Sequence, residues 1–142
     1  MLEKIKAWFS RNDDDLAMYL PENETITFIL KIDDLDIGIL AGQNGKWEFK
    51  YTDEFKQNSE YSRIIGFPDI YKKYTNTTLW PFFRIRIPGL KQPAVQEILE
   101  KEKIDKKNEV ELLKRFGHKT IANPYILEVA PSDLGHDPAP ST

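Results

Sequence analysis

Asn44-Gly45 lies between two stretches of alternating apolar residues, and that arrangement narrows the choice of fold more than any other feature. A two-residue type I′ turn needs φ above zero at both central positions, which Asn and Gly tolerate. After it, Trp47, Phe49 and Tyr51 alternate with Glu48 and Lys50, the pattern of a strand with one aromatic face turned to a core. Before it, Leu35–Leu40 reads as a strand. Asp33-Asp34 reads as the turn from an earlier β-prone run, Thr25–Leu30. The first half is therefore a three-stranded meander. A fourth strand is predicted over Ser62–Phe67, ending at Pro68, with polar Tyr71–Thr78 as loop.

The second half changes period. Pro93 opens a helix whose apolar stripe is Val95, Ile98 and Leu99. Asn108 with Glu111 forms a capping-box pattern for a further helix, with Val110, Leu113 and Phe116 inward and Gly117 placed to end it. Thr120-Ile121 and Tyr125–Val129 can return as a last strand. In Leu79–Pro88, Ile85 and Ile87 alternate with Arg84 and Arg86, which suits a strand. Ile5, Trp8 and Phe9 give a short N-terminal helix one apolar face before Asn12–Asp15 interrupts it. The expected fold is α+β: a small antiparallel sheet of four or five strands packed with two or three helices. It divides into an N-terminal extension at 1–20, a domain at 21–130 and a frayed Pro-, Ser- and Asp-rich tail at 131–142.

The chain has 142 residues, 40% of them hydrophobic, enough for one domain with a usable core. It has no cysteine, which removes disulfides and thiolate zinc sites and fits a reducing cytoplasm. No apolar run approaches the ~20 residues that span a bilayer, and no secretory signal opens the chain. Net charge is −3, divided unevenly. Residues 1–70 carry 8 basic and 14 acidic side chains, residues 71–142 carry 12 and 9. An acidic total argues against direct nucleic-acid binding, while the asymmetry can steer a protein partner or simply mark a solvated face.

The tools of catalysis are missing from the sequence. It contains no glycine-rich phosphate loop, no H-R-D catalytic loop and no D-F-G metal site. His118 sits at a helix end, where a cation suits the dipole, and His136 lies in the tail. The carboxylate runs Asp13–Asp15 and Asp33–Asp36 fit turns, without the spacing of a calcium loop. No metal, cofactor or catalytic residue is expected.

One order of segments is distinctive. L-W-P-F-F-R-I-R-I-P-G from Leu79 is followed by P-A-V-Q-E-I-L-E-K, E-V-E-L-L-K-R-F-G-H and T-I-A-N-P-Y, ending at Tyr125. Upstream stand Ile37-Gly38-Ile39-Leu40, Asn44-Gly45 and Phe49-Lys50-Tyr51. Across Thr25–Leu127 this order resembles the small N-terminal subdomain of HipA-type serine/threonine kinases, the toxins of bacterial toxin–antitoxin modules. The resemblance implies a helix at Leu79–Pro88 with Pro81 in its first turn, and Phe82-Phe83 packing that helix on the sheet. It also implies a free-standing, antitoxin-type module that restrains a separately encoded HipA-like kinase core, since no kinase motif is found in these residues. Two departures stand out. Ile85 occupies the usual Asn position, and Lys119–Tyr125 replaces a glycine/alanine-rich segment.

The candidate partner-binding residues are Trp80, Arg84, Arg86 and Trp8, because Trp and Arg dominate binding hot spots. Trp80 can equally be core. Two other functions stay open: a small anionic ligand held by Tyr51, Trp80, Arg84 and Arg86, or a homodimer through the Trp8–Phe9 helix.

Overall fold

Residues 18–58 and 60–133 are described by a computed structural model. The meander forms as expected. β1 (Thr25–Ile32), β2 (Leu35–Gln43) and β3 (Lys46–Tyr51) pair antiparallel in sequence order. The turn between β2 and β3 holds Asn44 at φ 54° and Gly45 at φ 75°, both in the left-handed region that type I′ geometry requires. The sheet order is β4-β3-β2-β1-β5, with β4 at Tyr74–Asn76 and β5 at Ile126–Val129, so the last strand closes against the first. A bulge between Leu30 and Lys31 leaves Ile37 without a partner residue, and its side chain is completely buried.

One face of this sheet carries the core. Ile26, Phe28, Leu30, Leu40, Trp47, Phe49, Tyr51 and Leu127 are all buried there. Four short helices complete the described residues: α1 (Asp53–Lys56), α2 (Pro81–Arg84), α3 (Pro93–Lys101) and α4 (Glu109–Phe116). The fold is α+β. Thr52 caps α1 by accepting from Phe55 N at 3.0 Å. The helix implied at Leu79–Pro88 does form, with Pro81 at its first position, where a missing N–H costs nothing. The Ile85/Ile87 alternation is not a strand: Ile85 is exposed while Arg86 and Ile87 are buried in the turn that follows α2. Val95 and Leu99 of α3, and Val110, Leu112 and Leu113 of α4, face the sheet. Asn108 Oδ1 accepts from Val110 N (2.9 Å) and Glu111 N (3.2 Å). The returning arm of the capping box goes elsewhere, Glu111 accepting from Asp105 N at 3.1 Å.

Several local expectations need correction. Ser62–Phe67 is not a strand. The Tyr51 hydroxyl donates to Phe67 O (2.6 Å) and accepts from Ile64 N (2.9 Å), taking backbone groups that a ladder would need. The fourth strand is Tyr74–Asn76, inside the stretch expected to be loop; it is short, polar and at the edge. Gly117 ends α4 with φ −85°, not left-handed. Glycine is needed there because a Cβ would meet Leu113 O at 2.4 Å. Met18 and Leu20 belong to the core, and Tyr19 bonds Lys107 O (2.8 Å) and Glu109 N (3.0 Å) through its backbone. At the other end Pro131–Asp133 forms a 3-10 turn, and Asp133 Oδ2 accepts from Thr27 N at 2.7 Å. Trp8 with the rest of its expected helix, and the tail from residue 134, lie outside the described residues.

Candidate protein-binding surface

Trp80 is the N-cap residue of α2, held in extended conformation by the proline that follows it. Its ring is half-buried, edge-on to Phe67 (centroids 5.3 Å apart) and to Phe83 (6.5 Å), both of which are core residues. The ring is therefore braced from beneath and open above. It lines a groove of about 270 Å³ with Ile65, Gly66, Phe67, Pro81 and Phe82. Ile65 is 94% exposed at the rim. An apolar groove with an exposed isoleucine beside a supported indole is costly to hydrate and cheap to cover.

Phe82 continues this surface. It packs edge-on against Phe83 at 5.1 Å and against Tyr125 at 5.6 Å, which links the groove to the segment after α4. Of the paired phenylalanines only Phe83 is fully buried. Arg84 is half-buried on the same helix as Trp80, and Ile85 behind it is 59% exposed.

Arg86 points the other way. It is 4% exposed, and its guanidinium donates to Gly117 O (2.9 Å), His118 O (3.4 Å), Asn123 Oδ1 (3.2 Å) and Tyr125 O (2.9 Å). Burial lowers its pKa to about 10, with no charged neighbour contributing to the shift. Its Nε has no partner. The structure thus places Arg86 inside the fold and away from the groove. The Tyr51 hydroxyl is likewise engaged internally, so Tyr51, Trp80, Arg84 and Arg86 do not converge on one pocket. Trp80 and Arg84 share a surface; Arg86 supports it from within.

Two buried polar devices escaped sequence reasoning. Glu109, wholly buried, accepts from Trp47 Nε1 at 2.8 Å and ties β3 to the start of α4. The other is the Arg86 cluster, whose partners lie 31–39 residues further along the chain. Nothing local marks either one.

The HipA N-terminal domain model matches residues 28–122, from β1 through both halves of the groove to the segment beyond α4. The chain belongs to the HipA N-terminal domain family. That membership gives it a HipA-related role in a toxin–antitoxin context. A search of curated proteins returned no match. No helix of the described residues is long and apolar enough to cross a membrane.

Proposed function

We propose that this chain is a non-catalytic, antitoxin-type module that binds a separately encoded HipA-like serine/threonine kinase core and holds it inactive. The observation that carries this reading is the groove beneath Trp80, which lies within the matched HipA N-terminal domain and presents a supported aromatic to a partner. A half-buried Trp fixed by core rings loses little freedom on binding, so most of its desolvation is gain. Arg84, on the same helix, adds a charge that can orient the encounter. Such a module acts in the cytoplasm, where its kinase would be.

The test is to mix the purified chain with a HipA-type kinase core that lacks this subdomain. The expected result is a stable complex and loss of substrate phosphorylation. Trp80→Ala should weaken binding by about 2 kcal/mol, roughly 30-fold, without unfolding the domain. No complex at micromolar concentrations, or undiminished kinase activity in the complex, would overturn the proposal.

A further inference from the structure

Burying a guanidinium without a carboxylate is expensive, and the fold uses Arg86 almost entirely to shape one loop. All four acceptors of Arg86 belong to residues 117–125. At the base of that loop Leu127 N donates to His118 O at 3.0 Å. At the tip Thr120 and Asn123 form an isolated antiparallel bridge, and Ala122 N donates to Thr120 Oγ1 at 3.2 Å. Asn123 Oδ1 also accepts from Tyr125 N at 3.1 Å. The loop is fixed from base to tip.

What it displays is Ile121, with a relative exposure of 107%. A β-branched apolar side chain in full contact with water contributes nothing to folding. A rigid loop that presents one, by contrast, binds with little ordering cost. The charges around it are of one sign. Residues 70–96 and 112–127, which supply α2, the Trp80 side of the groove and this loop, contain eight Lys or Arg and no Asp or Glu.

We infer that the 117–125 loop is a preorganised docking finger, whose Ile121 enters an apolar pocket ringed by acidic residues on the partner protein. This rests on the proposed function: the partner is the same kinase core, met by the Trp80 groove and the finger together. The family match ends at residue 122, inside the finger, so the groove is the shared contact and the finger selects the cognate kinase.

The experiment measures affinity of the full chain for the kinase core at low and high salt, with melting temperature as a control. Ile121→Asp is expected to bind at least about tenfold more weakly with unchanged melting temperature, because a carboxylate would enter an apolar, acid-rimmed pocket. Lys119→Glu should slow association and reduce its salt dependence. Wild-type affinity for Ile121→Asp alongside impaired Trp80→Ala overturns the finger and leaves the groove standing. A lowered melting temperature for Ile121→Asp makes Ile121 a fold residue and also overturns the finger. Absence of binding by the wild type overturns both readings.

Discussion

Two tryptophans divide this molecule. Trp47 is fully buried on β3, its indole N–H satisfied by Glu109 at 2.8 Å. Trp80 rests half-open on Phe67 and Phe83 at the edge of a groove. Each region also contains a buried ionisable group that lacks an opposite charge among its printed hydrogen-bond partners. Glu109 is used to join sheet to helix; Arg86 is used to hold a loop that buries almost nothing of its own. Polar burial at the Trp47 end secures the core, whereas at the Trp80 end it secures the shape of a surface.

Trp47→Ala should give the largest effect, a loss of about 3–5 kcal/mol that also leaves Glu109 without its donor. Trp80→Ala should cost only about 1–2 kcal/mol. Urea denaturation of both variants checks this, and equal losses would erase the distinction between the two ends. Next comes Arg86→Met, expected to lose about 2–4 kcal/mol as four acceptors in the loop lose their donor. Amide exchange sharpens the point: the added exchange should concentrate at 117–125, and a uniform increase would mean that Arg86 serves the core as Glu109 does.

Replacing Asn44-Gly45 with Val-Val puts β-branched residues at φ 54° and 75° and should cost about 1–3 kcal/mol at each strained position. Thermal melts give the answer, with unchanged stability incompatible with the turn described. The smallest effect concerns phenols. Hydrogen bonding to Asp33 pushes the Tyr61 pKa up to about 12, and burial raises Tyr51 and Tyr125 above the usual value. A raised pKa means stability present below about pH 10 and lost as pH climbs to about 12. Ultraviolet titration should show late-ionising tyrosines, and Asp33→Asn should return Tyr61 to the ordinary range.

The two ends also differ in how plainly the sequence announces them. The meander could be read because Asn44-Gly45 and the Trp47-Phe49-Tyr51 alternation are local signals, each acting within a few residues. Asn108 and Pro81 are equally local, and both sit where helix starts demand. Ser62–Phe67 misled because its strand-like run is overruled by a hydroxyl from Tyr51, a distant residue. Arg86 misled for the same reason: between two isoleucines it resembles any alternating surface cation, and its acceptors lie in a loop whose course the sequence does not disclose. Trp80 was legible as a choice between core and interface, and the half-open ring shows why both descriptions had force.

The pairing of β5 with β1 has a consequence for how the chain is made. Phe28–Lys31 must wait for Ile126–Val129, roughly a hundred residues later, before its outer edge is covered. During synthesis, and in any fragment ending near residue 122, β1 would offer a row of unpaired N–H and C=O groups to whatever strand came near. The final hydrogen bonds across that edge come from Ala130 N to Thr27 O and from Thr27 N to the Asp133 carboxylate. A newborn copy is thus adhesive until its last strand emerges from the ribosome, and a neighbouring nascent chain could meet it in that interval.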